Sequence, residues 1–206
     1  MKDPAPLRVV YLEELQDKDK PLPMDDGAEH ELIQLAKQDP QAFSLLYDRY
    51  VDRIYAYALR RTGDQDLAKD MTSVTFEKAL RGLQRYRWRG VSFGAWLYRI
   101  ARHEMLAHYR KQRRLVTLPL HLISAMNVEE MIQSRDQVDG LHAALARIPA
   151  RDQELLALRF FEDLSSPEVA EVLGCSTNNV YVRLHRALKR LRKELESNEA
   201  RSESDV

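Results

Sequence analysis

Two stretches carry side chains suited to gripping nucleic acid. From Ser176 to Lys193 there are six cations, Arg183, Arg186, Lys189, Arg190, Arg192 and Lys193, and no Asp or Glu. Within the same stretch Ser176, Asn178, Asn179, Tyr181, Arg183, Arg186 and Arg190 offer the donors and acceptors that meet base edges and phosphates. The second stretch, QRYRWRGVS from Gln84 to Ser92, interleaves Arg85, Arg87 and Arg89 with Tyr86 and Trp88. Flat rings beside guanidinium planes can stack on unpaired bases while the charge holds the backbone. Just beyond it, Arg99, Arg102, His103, Arg110 and Arg113 share one helix face at about 100° per residue, roughly a quarter turn from the apolar stripe. Other chemistries find little support. His103 and His108 lack partners at metal-ligand spacing, and Asp64, Asp66 and Asp70 fall at a helix N-terminus, where capping and the helix dipole account for them. No nucleophile–base pair or phosphate cradle is present, so no metal, no cofactor and no enzymatic activity is expected.

The elements that must position these groups follow from local signals. In LSSPEVAEVLGCSTNNVYVRLHRALKRL, Leu164 to Leu191, a short helix starts at Pro167 with Ser165 or Ser166 as its cap, and Gly174 ends it in the left-handed conformation. Ser176 caps a second helix whose Val180, Leu184, Ala187, Leu188 and Leu191 form one buried stripe. Ala170 is small enough for the helices to cross closely, so the pair has the spacing of a helix-turn-helix with Asn179, Arg183, Arg186 and Arg190 on its outer face. Cys175 fills the turn.

Upstream, a helix covers Glu29 to Lys37. Asp39 and Pro40 form a cap and first-position pair opening a helix to Thr62 that buries Phe43, Leu46, Tyr47, Tyr50, Ile54 and Leu59. A third helix, Gln65 to Leu83, buries Leu67, Met71, Val74, Ala79, Leu80 and Leu83. A fourth runs from Phe93, capped by Ser92, to about Arg114, and buries Phe93, Trp96, Leu97 and Ile100. The expected architecture is all-α. It has an acidic, disordered arm (1–28), a helical domain (29–115), an extended linker (116–136), a helix-turn-helix domain (137–195) and an acidic tail (196–206).

At 206 residues and 44% hydrophobic composition, both small domains can hold a core. The net charge of zero hides a segregation: residues 1–31 hold nine acids against four bases, whereas residues 81–114 hold ten Lys or Arg against Glu104 alone. Separated basic patches flanked by acidic tails suit conditional DNA binding. The lone Cys175 fits a reducing compartment, no apolar run is long enough to span a membrane, and Asp3 and Pro4 do not suit a signal peptide. A cytoplasmic location without membrane insertion is expected.

The stretches LYDRYVDRIYAYALRRTGDQDLAKDMTSVTFEKALRGLQRY and SFGAWLYRIARHEMLAHYRKQRR resemble domain 2 of bacterial extracytoplasmic-function (group IV) sigma factors of the sigma-70 family. IPARDQELLALRFFEDLSSPEVAEVLGCSTNNVYVRLHRALKRLRKEL resembles their domain 4. The resemblance implies a subunit that binds core RNA polymerase and promoter DNA, helps open the duplex, and is held in check by a cognate anti-sigma factor. It implies polymerase contacts from Asp64, Asp66, Asp70, Met71, Ser73 and Lys78. Tyr86, Arg87, Trp88, Arg89, Arg99, Arg102, His103, Arg110 and Arg113 would meet the −10 element, and the outer face of the second motif helix would meet the −35 element. The chain departs from the common pattern at Ser73 and Val74, where many members have Gln and Glu, and at Asn178, Asn179 and Tyr181. The alternative, a stand-alone helix-turn-helix regulator, leaves the Arg-aromatic loop and its following basic helix without a task.

Overall fold

A computed structural model describes residues 26–111 and 135–202, and every regular element among them is helical. Residues 1–25 of the expected arm, most of the linker, Arg113 and Arg114 lie outside the described residues, whereas residues 26–28, expected to be disordered, already belong to the first helix. The first half consists of α1 (Asp26–Gln38), α2 (Ala42–Thr62), α3 (Gln65–Gly82) and α4 (Phe93–Lys111), with a 3₁₀ turn at Leu83–Arg85. The second consists of α5 (Arg135–Arg147), α6 (Ala150–Leu156), a π-type turn at Ala157–Phe161, α7 (Ser166–Leu173) and α8 (Thr177–Ser202). Because α5 starts at Arg135, the last residues assigned to the linker are already helical.

Local chemistry sets most boundaries. Asp39 caps as expected by accepting from the Gln41 N–H at 2.9 Å, but the first turn is made of i→i+3 bonds, so the regular helix starts at Ala42. Gly63, at φ +67°, returns its N–H to the Leu59 carbonyl, and Asp64 accepts from the N–H groups of Asp66 and Leu67 to start α3. Gly94 is required by close approach: a Cβ there would lie 2.7 Å from the Tyr50 ring.

The core of the first half gathers Leu46, Tyr50, Ile54, Tyr57, Leu83, Phe93, Leu97 and Tyr98. Two expectations fail on α2 and α3. Tyr47 and Leu80 are exposed, and Leu67 and Val74 are only partly covered. The inner face of α3 is instead Ala68, Met71, Thr72, Thr75, Phe76 and Ala79. Small residues let α2 and α3 approach closely, and both threonines satisfy their hydroxyls on the carbonyls four residues back, at 2.7 Å from Ala68 O and 2.6 Å from Met71 O. The second half packs Leu145, Ile148, Leu155, Leu158, Val169 and Val172 against Val180, Ala187 and Leu191 of α8. The halves also touch, chiefly where α7 lies on α4.

Candidate nucleic-acid interface

The helix-turn-helix is built by side chains close in sequence. Glu168 accepts from both the backbone N–H and the hydroxyl of Ser165, at 2.8 and 2.7 Å, which sets the start of α7. Gly174, at φ +67°, ends it, and the Ser176 hydroxyl accepts from the Asn179 N–H at 3.2 Å to begin α8. With Val180 and Ala187 fully buried, the helix is held in one rotation. That rotation exposes Ser176, Asn178, Asn179, Tyr181 and Arg186. Arg183 is half-exposed, and its contact to the Arg151 carbonyl is long at 3.5 Å. Val182 is also exposed here and was not among the expected contacts. An apolar side chain beside Asn and Arg can meet a thymine methyl, and the signal for it was its place one step off the buried stripe.

Arg190 is the exception on this helix. Its guanidinium pairs with the carboxylate of Asp152, a buried side chain at the start of α6, so it ties α8 to α6 and is not a free member of the reading face. Arg190→Ala should therefore lower the stability of the second half by about 1–3 kcal/mol, because it leaves the buried Asp152 carboxylate with only the longer, 3.9 Å pairing to the exposed Arg151. Chemical denaturation checks this: a variant as stable as wild type, with weakened DNA binding, would return Arg190 to the reading face.

The second basic surface is arranged differently from its sequence pattern. Tyr86 is only 8% exposed, with its ring 5.4 Å from Phe93 and 4.7 Å from Trp96. The 3₁₀ turn swings it inward, and Lys37 donates to its carbonyl at 2.9 Å. Most of Tyr86 is thus packed into the core, and the part left uncovered lines the hollow beside α4. Trp88 is half-buried, with its ring edge-on to His30 at 5.6 Å. Arg85, Arg87, Arg89 and Arg99, with Trp96 and Glu171, surround a hollow of about 350 Å³. His103 and Arg110 are exposed on α4. Arg99 donates to Glu171 at 2.6 Å, and Arg102 forks onto both oxygens of Glu154 at 2.9 and 3.0 Å. Burial opposes the charge on Arg102, but the bonds and charge of Glu154 outweigh it and hold the guanidinium more firmly protonated than usual. The acids Glu154 and Glu171 had no sequence signal, because their partners lie 52 and 72 residues away.

Of the expected polymerase contacts, Asp64, Asp66, Asp70 and Ser73 are exposed, and Lys78 is half-exposed and paired with Glu104 at 2.7 Å. Met71, at 9% exposure, faces the core. Among the described residues no cluster of three His, Cys, Asp or Glu could hold a metal, and no helix is long and apolar enough to cross a membrane.

Two family models match the chain: Sigma-70 region 2 over residues 46–115 and Sigma-70 region 4 over residues 139–191. The ECF RNA polymerase sigma factor BldN of Streptomyces coelicolor is 33% identical over 174 residues, which is 81% of this chain and 66% of BldN. The RNA polymerase sigma factor YlaC of Bacillus subtilis is 33% identical over 156 residues, 73% of this chain and 90% of YlaC. In fold, the chain is similar to the sigma factor RpoE of Bartonella quintana, solved in complex with the anti-sigma factor NepR. That likeness has a TM-score of 0.54 at 21% identity and covers 75% of this chain and 96% of RpoE.

Proposed function

The chain belongs to the extracytoplasmic-function group of sigma-70 RNA polymerase sigma factors, and on that premise we propose how its surfaces divide the work. Residues 29–115 bind the polymerase clamp and the −10 element, residues 137–195 read the −35 element, and residues 116–136 connect them. Asp64, Asp66, Asp70, Ser73 and Lys78 meet polymerase. On the −35 face, Asn178, Asn179, Tyr181, Arg183 and Arg186 contact DNA, with Ser176 placing the helix start near a phosphate. On the −10 face, Arg87, Trp88, Arg89, Arg99, Arg102, His103 and Arg110 hold the melted strand. The factor acts in the cytoplasm, has no enzymatic activity of its own, and is inhibited by a cognate anti-sigma factor.

The observation that carries this division is that each half bears its own basic surface on a separately built helical scaffold. A stand-alone regulator has use for the α8 face but none for the arginine-lined hollow beside α4. Trp88 supplies the test. Its alanine variant should slow duplex opening, since stacking on an unpaired base contributes about 1–3 kcal/mol only after that base leaves the helix. A template melted beforehand at the −10 element should recover most of the lost transcription. Equal losses on closed and melted templates would make Trp88 a packing residue and remove it from the strand-capturing set.

A further inference from the structure

We propose that α1 is the positioning element of strand capture: His30 and Lys37 of this helix, answered by Gln84, hold the Gln84–Ser92 loop so that Trp88 is in place before an unpaired base reaches it. This rests on the assignment of Trp88 to the −10 strand. It gives a task to a helix that lies wholly upstream of the matched Sigma-70 region 2, which begins at residue 46.

The loop needs a hold from outside because its own backbone supplies little. Residues 86–89 belong to no regular element. The Tyr86 N–H still closes the 3₁₀ turn, donating to the carbonyls of Gly82 and Leu83, both at 3.1 Å. Its backbone is then extended, at φ −61° and ψ 135°, so its carbonyl leaves the helical ladder. Lys37 donates to that carbonyl at 2.9 Å, and the Gln84 side chain donates back to the Lys37 carbonyl at 2.6 Å. Lys37 stands in the last turn of α1, where carbonyls have no partner within the helix, so the returning bond satisfies a group that α1 leaves open. The two bonds make a reciprocal clasp on the start of the loop.

From the clasp, α1 and the loop run in opposite directions. His30 precedes Lys37 by two turns, about 10.5 Å along the same face of the helix. Its ring meets that of Trp88 with the centroids 5.6 Å apart and the planes at 74°. Glu29 beside it accepts from the Phe93 N–H at 2.9 Å, where the loop gives way to α4. Lys37, His30 and Glu29 thus meet the start, the middle and the end of the loop in turn. An edge-to-face pair prefers one arrangement of its two planes. Trp88, already half-buried, therefore has less side-chain freedom to lose when a base stacks on it. Glu29 is a buried member of the core, but Gln84 is exposed and His30 and Lys37 are partly so. These three act on the loop and not on the packing beneath it.

The test is the rate of promoter opening by the full-length chain with core polymerase, read beside the tryptophan fluorescence of the free chain. Trp88 and Trp96 are the only tryptophans, so for the fluorescence Trp96→Phe leaves Trp88 as the single emitter. His30→Ala, and separately Gln84→Ala, should shift that emission to the red and raise its quenching by acrylamide. Each should slow opening about three- to tenfold, the loss expected when one more side chain must be ordered during binding. His30→Phe, which keeps a ring beside Trp88, should restore most of the rate. In a Trp88→Ala background, His30→Ala should slow opening no further, whereas independent defects would multiply. Multiplied defects would overturn the proposal, and so would wild-type opening by both His30→Ala and Gln84→Ala while Trp88→Ala is slow; in either case the assignment of Trp88 to the −10 strand stands. If Trp88→Ala itself opens closed promoters at the wild-type rate, that assignment fails and takes the proposal with it.

Discussion

Changing Arg183 and Arg186 to alanine together should remove about 2–6 kcal/mol of −35 recognition, at about 1–3 kcal/mol for each lost base or phosphate contact. Both side chains leave α8 on the exposed side: Arg186 is exposed, and among the described residues Arg183 has only a long contact to the Arg151 carbonyl. The loss should therefore appear in transcription from a −35-dependent promoter, while affinity for core polymerase and the unfolding midpoint stay at the wild-type values. The two contacts lie one turn apart on one helix, so their effects need not add in full. Wild-type transcription from such a promoter would show that DNA meets another face of α8.

Glu29→Ala is expected to be the most damaging single change in the first half. Glu29 is 1% exposed, and its carboxylate accepts from the Tyr50 hydroxyl and, at 2.9 Å, from the Phe93 N–H that starts α4. It thus joins α1 to α2 and α4 and places negative charge at a helix N-terminus, where the dipole favours it. Burial, followed by the charge and bond of Glu29, holds the Tyr50 hydroxyl far above its usual titration range, so Tyr50 stays a neutral donor. Removing the carboxylate leaves two core donors unsatisfied, at a cost of about 2–4 kcal/mol. For a domain of this size that corresponds to a fall of about 10 °C or more in unfolding temperature. Glu29→Gln, which can still accept, should lose less. An alanine variant that melts within a degree or two of wild type would mean that water replaces the carboxylate in full.

How much of this was legible in sequence depended on how far apart the interacting residues stand. The helix-turn-helix could be read because its determinants are local: Ser165 with Glu168, the left-handed Gly174, and Ser176 with the N–H of Asn179. The buried face of α3 was misjudged because apolar periodicity gives no weight to Thr72 and Thr75, whose hydroxyls are satisfied within their own helix. The alternation in RYRWR could not reveal that Tyr86 turns inward, since that depends on packing against Phe93 and Trp96. Arg190 looked like its neighbours on α8 because Asp152 lies 38 residues earlier. The network between the halves left no trace at all: its pairs run up to 109 residues apart, as for Arg53 and Glu162, and each member alone reads as a solvated surface charge.

The central claim is that the chain works through RNA polymerase, and transcription by purified components on a randomised promoter library tests it most directly. With core polymerase added, the chain should select templates that share two short elements at constant spacing, and it should start transcripts at a fixed distance downstream. Alone it should neither initiate transcription nor retain those templates tightly. Transcripts identical to those from core polymerase without the chain, together with tight and selective retention of DNA by the chain alone, would contradict the account.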